Sequence, residues 1–322
     1  MKEVAIGIDI GGTNSVYGIV DREGKCLAES TIRTDKYDDV KDYVKELSSA
    51  IKELISAFPK ESSLKLDVKG IGIGAPNGNY FKGTVEFAPN LRWKGVIHFA
   101  DLFKEHFDFP VILTNDANAA AIGEMIYGAA KGMKDFIVVT LGTGLGSGFV
   151  ANGEMIYGHD GFAGELGHTI AVHDGRPCGC GRNGCLEQYA SATGIVKTVK
   201  EFLRKTSAPS LLRGEDTITS KKIHTAAIAG DKLALEAFDY TARILGRSLA
   251  DVVAITSPEA IILFGGLALA GDYIFVPAKK YLEEYVLNIF KNKVKLLPSQ
   301  IAGANAAVLG SSALVWKSVR QC

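Results

Sequence analysis

The chain has 322 residues, of which 47% are hydrophobic, and its 36 basic residues are balanced by 36 acidic ones. That length predicts two domains rather than one core, and a formal net charge of zero excludes a global attraction to nucleic-acid phosphates or anionic lipid. No stretch approaches the roughly 20 apolar residues of a membrane span, and the amino terminus MKEVAIGIDIGGTN has an acidic residue and glycines where a signal peptide needs an unbroken apolar run.

In chain order, VAIGIDIGG predicts a buried strand ending in a glycine turn. SVYGIVD, the turn DREGK and CLAESTIRT extend it into a three-stranded antiparallel meander. Val44, Leu47, Ile51, Leu54 and Ile55 recur at helical spacing in VKDYVKELSSAIKELISAF. The strand VKGIGIGAP, a helix around FADLFKEHF and the strand VILTND continue an α/β alternation. Then FIVVTLGTGLGSGFVANGEMIYG repeats the opening layout of strand, Gly/Thr turn, strand and polar turn. The repetition predicts a duplicated β-hairpin with a glycine-rich tip in each of two related domains.

A glycine-rich middle, about 158–191, leads to helices at about 187–205 and 232–255. The strand AIILFGGLA, the helix PAKKYLEEYVLNIF, an edge-like strand KVKLLPS and an apolar helix ANAAVLGSSALVWKS complete the chain. The predicted boundaries are a small α/β domain over 1–118 and a large one over 119–302, with a short hinge near 116–120. A C-terminal helix over about 303–322 is expected to pack back on the small domain.

Three kinds of site emerge. In DIGGTN, Asp9 stands beside Gly11 and Gly12, which let backbone N–H groups approach a ligand, and Thr13 and Asn14 add short polar groups. A carboxylate beside anion-binding amides suits a phosphate with a hydrated divalent cation, though the same residues also suit an ordinary hairpin turn. The tip at Gly142, Thr143 and Gly144 repeats the pattern. Gly265 and Gly266, after a buried strand, admit either a nucleoside against the backbone or close helix packing. Asp116, at the end of a strand and the start of a helix, is either a helix cap or a general base that takes a proton from an attacking hydroxyl.

The third site is the cysteine cluster CGCGRNGCLEQYAS. His168 is followed after nine residues by Cys178, after one more by Cys180 and after four more by Cys185. Three thiolates and an imidazole complete a tetrahedral zinc set and leave no open position for a catalytic water. A Cys178–Cys180 disulfide would be strained, and only two further cysteines, Cys26 and Cys322, accompany the cluster, so a reduced, cytoplasmic protein is expected. Glu165 and Glu187 flank the metal loop, either as surface residues or as a rigid carboxylate wall suited to vicinal hydroxyls.

The run GHTIAVHDGRPCGCGRNGCLEQYASATG closely resembles the signature of the ROK family of sugar kinases and sugar-responsive repressors. DIGGTN and LGTGLGSG resemble its phosphate motifs, NDANAA its catalytic segment, and GIGAPNGNY with APNLRW its sugar-binding stretch. The resemblance implies a two-domain, actin-like ATPase (ribonuclease H-like) α/β fold with an active-site cleft between domains and a structural zinc loop. It implies ATP- and Mg2+-dependent phosphorylation of a hexose at O6, glucose first, by a glucokinase-like enzyme that forms a homodimer. Asp116 is then the base, and Asn77, Asn90, Asn115, Asp116, Glu165, His168 and Glu187 contact the sugar. Asp9, Gly11, Gly12, Thr13, Asn14, Gly142, Thr143 and Gly144 line the phosphates, with Gly265 and Gly266 near the nucleoside.

Two features depart from the family pattern, FGGLA where many relatives have three glycines and Asn77 where glycine is common. The alternatives within the family are an N-acetylmannosamine or N-acetylglucosamine kinase and a sugar-sensing transcriptional regulator lacking its DNA-binding domain. The short segment before DIGGTN leaves no room for a DNA-reading helix in this chain, and no nucleic-acid or membrane partner is expected. The motifs leave open the preferred hexose, a donor other than ATP, the oligomeric state and any regulation.

Overall fold

The run KEVAIGIDI is buried from Val4 to Ile8, as a strand covered on both faces must be. It forms β1 (Lys2–Ile10) of the computed structural model, which describes residues 1–58, 65–301 and 306–319. β2 (Asn14–Asp21) folds back antiparallel on β1, with Ser15 opposite Ile10, and β3 (Cys26–Arg33) lies antiparallel on β2. α1 (Val40–Ala57) starts at Asp39, whose side chain accepts from the Lys41 N–H, and buries Tyr43, Val44, Leu47 and Ile51 along one face. β4 (Leu66–Ala75) then runs parallel to β1 on its other side.

A small sheet of β5 (Gly78–Asn79), β6 (Thr84–Glu86) and β7 (Val96–Ile97) follows, then α2 (Phe99–Lys104), β8 (Val111–Asn115) beside β4, and α3 (Asp116–Tyr127). The main sheet of this first unit has the order β3-β2-β1-β4-β8. The C-terminal helix Ala306–Val319 lies against it so closely that the strands must carry glycine there. A Cβ on Gly7 would stand 2.0 Å from the Val308 carbonyl oxygen, and one on Gly72 would stand 1.9 Å from that of Ser311. The remainder of the predicted last helix, at 303–305 and 320–322, lies outside the described residues.

The second unit repeats the plan. β9 (Phe136–Leu141) and β10 (Leu145–Ala151) form an antiparallel hairpin, β11 (Glu154–Met155) pairs at its edge, and β12 (Ala260–Phe264) and β13 (Lys295–Pro298) add on parallel. The order β11-β10-β9-β12-β13 is that of the first sheet, as the repeated hairpin predicts. α4 (Ala192–Lys205), α5 (Ser220–Ile228), α6 (Lys232–Thr256) and α7 (Asp272–Tyr285) enclose a large apolar core that includes Ile195, Phe238, Leu245 and Leu282.

Compact packing divides the chain into Met1–Gly132, Met155–Ala163 and the residues from Gln300 onward, against Met133–Glu154 and Gly164–Ser299. The change of unit therefore follows Gly132, and the stretch expected to act as a hinge, 116–120, is the first part of α3. Two further boundaries differ from expectation. α4 begins at Ala192 because Ser191 caps it, accepting from the Gly194 N–H at 2.9 Å, so Glu187 sits in a separate 3-10 turn, Leu186–Gln188. α7 begins at Asp272, after the positive-φ Gly271, and carries Pro277 inside it rather than at its start.

Candidate active site and metal cluster

In the first unit the β1–β2 tip is closed by a Gly11 N–H bond to the Asn14 carbonyl, 3.0 Å, and a Cβ on Gly11 would stand 2.7 Å from that oxygen. Gly12 passes equally close to a second segment, where a Cβ would stand 2.4 Å from the Asn90 carbonyl oxygen. The glycine pair thus brings the DIGGTN tip against the APN loop, and Thr13, Asn14 and Asn90 are exposed there. Asn77 adopts φ 51° and donates through Nδ2 to the Glu86 carbonyl at 3.0 Å. Asparagine tolerates this left-handed conformation better than most residues, so the turn does not require glycine there.

β8 delivers Asn115 and Asp116 to the start of α3. Asn115 is the cap, its Oδ1 accepting from the Ala117 N–H at 2.8 Å. Asp116 is the first helical residue, with Oδ1 also 2.8 Å from that N–H, and it reaches solvent. The expectation that Asp116 is either cap or base therefore resolves in part: the capping position belongs to its neighbour. Desolvation by surrounding protein raises the Asp116 pKa, and two backbone N–H groups only partly oppose it. Asp9, at the end of β1, is pushed up to about 6, first by burial and then by the charge of Asp116.

In the second unit the β9–β10 tip carries Gly142, Thr143 and Gly144. The Ala192 N–H donates to the Gly142 carbonyl at 2.9 Å, and the Thr193 hydroxyl donates to the Thr143 carbonyl at 2.8 Å. The tip is thereby tied to the start of α4. A Cβ on Gly144 would stand 2.2 Å from Glu187 Oε2, and that oxygen accepts from the Leu145 N–H at 3.1 Å. Gly265, at φ 97°, crosses the Leu141 backbone just before the same tip, and the Leu267 N–H donates to the Leu141 carbonyl at 3.0 Å. The side of Gly266 where a Cβ would stand is open. Both expected nucleotide segments of this unit are thus neighbours.

The four sequence-predicted metal ligands also converge. One ligand atom each from His168, Cys178, Cys180 and Cys185 lies within 4.8 Å of all the others. His168 Nδ1 is 3.7 Å from Cys178 Sγ, and Cys180 Sγ is 3.6 Å from Cys185 Sγ. Tetrahedral zinc with ordinary bond lengths requires ligand–ligand edges of about 3.4–3.8 Å, so the cluster is compatible with zinc. Its electrostatics agree. Burial pushes the Cys180 thiol up, but the backbone and side chain of Arg182 with the two other thiols outweigh it and bring it down to about 6. Cys185 goes the other way, to about 12, through burial and then its cysteine neighbours. One thiolate forms readily and further ones repel it, a conflict that a divalent cation relieves.

Several side chains that support the cluster were not evident from sequence. Gln188 is buried and donates from Nε2 to Cys178 Sγ at 3.4 Å and to Glu187 Oε1 at 3.3 Å, while Lys197 holds its Oε1. Arg182 Nη2 donates to the His168 carbonyl at 2.8 Å. Arg176 lies over the Tyr189 ring and pairs through Nε with Glu201 at 2.7 Å. Only their nearness to the cysteines could have marked them, because the partners are set by the folding of the loop. Glu165 is exposed just before the 3-10 turn that carries His168.

Comparison with known proteins places these features. The ROK family profile matches residues 5–318. The chain is 36% identical to a glucokinase from Halalkalibacterium halodurans, over 96% of this chain and 94% of the relative. It is 29% identical to the xylose repressor of Caldicellulosiruptor bescii, over 96% of this chain and 77% of that protein. It also superimposes on the crystal structure of a ROK family glucokinase from Streptomyces griseus in complex with glucose and AMPPNP. The TM-score is 0.79, with 34% identity over 98% of this chain and 99% of the other.

Proposed function

The chain belongs to the ROK family, and from that premise we propose that it is a sugar kinase transferring the γ-phosphoryl group of ATP to O6 of a hexose, glucose foremost. The observation that carries this is Asp116: a solvent-reaching carboxylate at the first turn of α3, with the capping position taken by Asn115 and a raised pKa. A carboxylate so placed is suited to take a proton from a hydroxyl as that hydroxyl attacks. The O6–phosphorus bond forms, the bond from the γ-phosphorus to the bridging oxygen breaks, ADP leaves, and the O6 proton passes to Asp116.

Phosphoryl transfer asks for positioning and charge stabilisation more than for covalent chemistry. Backbone N–H groups at Gly12, Thr13 and Asn14 and at Gly142, Thr143 and Gly144 hold the phosphate oxygens, Gly11 keeps its N–H on the Asn14 carbonyl and so shapes the tip, and Gly265 and Gly266 let the nucleoside approach the backbone. Mg2+ would supply neutralisation of the phosphate charge, and Asp9 is the carboxylate that would order its water shell. Zinc, when bound, fixes the loop. His168 already faces Cys178 Sγ with Nδ1 at 3.7 Å and would hold zinc through it, leaving its other ring nitrogen for a sugar hydroxyl beside the acceptors Glu165 and Glu187. Asn90 and Asn115 contribute amide groups. Asn77 acts through the shape of the loop, since its Nδ2 is engaged by the Glu86 carbonyl. A cytoplasmic homodimer accords with the family resemblance.

A coupled ADP-release assay with glucose, mannose, N-acetylglucosamine and N-acetylmannosamine tests this. Turnover is expected with glucose above the other three. A preference for an N-acetylhexosamine would reassign the substrate and keep the reaction. The similarity to the xylose repressor supports a second reading, a sugar-responsive regulator. Tight sugar binding with no ADP release from any sugar would favour it.

A further inference from the structure

The second unit contains a cavity of about 630 Å3 that none of the residues assigned above to catalysis, sugar or metal lines. Tyr240, Arg243, Arg247 and Asp251 face it from one stripe of α6, with His173 and Tyr285 opposite. Arg243 and Arg247 stand four residues apart on α6 and repel, while Asp239 and Asp251, four residues beyond each of them, oppose that repulsion only in part. Among the described residues neither guanidinium is in an ion pair. Arg243 lies 5.6 Å from the centre of the Tyr240 ring, and Arg247 donates to the Ala171 carbonyl.

We propose that this cavity binds a phosphorylated sugar. The two guanidinium groups match a phosphate dianion, which they grip through charge-assisted N–H···O bonds. Asp251, the one carboxylate of the lining, accepts from the ligand's hydroxyls, and Tyr240 and Tyr285 pack against its C–H faces. The size suits one such molecule, since small-ligand cavities span roughly 300–1,000 Å3. The site also adjoins the metal loop. The Ala171 N–H donates to the Gly184 carbonyl at 2.9 Å, and Ile170 bridges Cys185. An occupant that draws on Arg247 acts on the segment that holds a metal ligand.

Titration calorimetry on the full chain, with glucose and AMPPNP present throughout so that the proposed catalytic site is filled, tests this. The probes are glucose 6-phosphate and inorganic phosphate, against the wild type, Arg243→Gln and Asp251→Asn. Both substituted side chains are exposed, so the fold is expected to survive. Glucose 6-phosphate should bind the wild type at about 1 mM or tighter and at least about tenfold more weakly to Arg243→Gln, a loss of about 1.4 kcal/mol. Asp251→Asn should weaken glucose 6-phosphate and leave inorganic phosphate unchanged. No binding, or binding equal in wild type and Arg243→Gln, overturns the proposal. Inorganic phosphate binding as tightly as the sugar phosphate overturns the sugar part. An oligomer that Arg243→Glu dissociates would make this face a subunit interface and likewise overturn it. Because the readout is binding and not turnover, failure of the kinase assignment would leave a different signature, an absence of ADP release.

Discussion

Asp9 and Asp116 are carboxylates whose ionised forms the fold disfavours, first through desolvation by burial. For Asp9 the folded-state value of about 6 lies above its ordinary 3.8. The folded chain therefore holds the proton more tightly than the unfolded one. Stability from this group is complete below pH ~4 and is lost as pH rises through about 6. A rise of that size corresponds to about 3 kcal/mol, so Asp9→Asn is expected to raise the unfolding midpoint near pH 8 and to change it little near pH 4. Thermal melts at the two pH values check this, and an equal effect at both would remove the cause assigned here. The same protonation predicts that kcat/KM falls on the acidic side near pH 6. Asp116→Asn is expected to keep the fold and sugar binding while lowering kcat by about 10²–10⁴-fold, the usual contribution of a general base. Near-wild-type turnover would remove Asp116 from that role. The sequence pointed to both aspartates because each ends an apolar strand at a turn. It did not reveal that Asn115 takes the capping position, since NDANAA offers two adjacent cap candidates and only the backbone geometry chooses between them.

At the scale of elements, two glycines that look alike in sequence have different reasons to be glycine. Gly72 lies in β4, where an added methyl would meet backbone, the Ser311 carbonyl at 1.9 Å. The helix cannot yield locally, so Gly72→Ala is expected to destabilise the first unit by about 1–3 kcal/mol, seen as a lower melting temperature with an unchanged KM in what remains folded. Gly144 meets the end of a side chain instead, Glu187 Oε2 at 2.2 Å. Gly144→Ala is expected to displace that carboxylate and raise the sugar KM several-fold, with little change in melting temperature. Steady-state kinetics and melts on both variants separate the two cases, and the same pattern in both would refute the distinction. Strand and helix periodicity made most elements legible, including the hairpin tips. The packing glycines were not, because the helix that demands Gly72 lies more than 200 residues further along the chain. Nor was the 3-10 turn at Leu186–Gln188, where CLEQYASATG continues into α4 without a sequence break and only the Ser191 cap marks the true start.

Across the whole molecule, the repeated hairpin made the duplicated plan legible, and the His–Cys spacing made the convergence of His168 with the three cysteines legible. Both are local signals. What sequence could not supply was the support that ties these signals together, such as the sharing of Gln188 between Cys178 and Glu187. That support sets the expected response to metal removal. All four ligands lie in the second unit, whose apolar core is built on α6 and the β9–β12 sheet and does not depend on the cysteines. Isolated zinc fingers unfold without metal because they have no such core. Here a chelator should instead loosen the loop locally while the unit stays folded. Hydrogen exchange is expected to speed up at Ile170–Val172, at Leu186–Gln188 and in the first turn of α4, where Ala192 and Thr193 tie the helix to the β9–β10 tip. Exchange in β1 and β4 of the first unit should not change, and glucose affinity should fall together with loop protection. Uniform exchange through both units would show that the metal supports the global fold. No change at Leu186–Gln188 would show that Glu187 is held without it, by the Leu145 N–H and Gln188 alone.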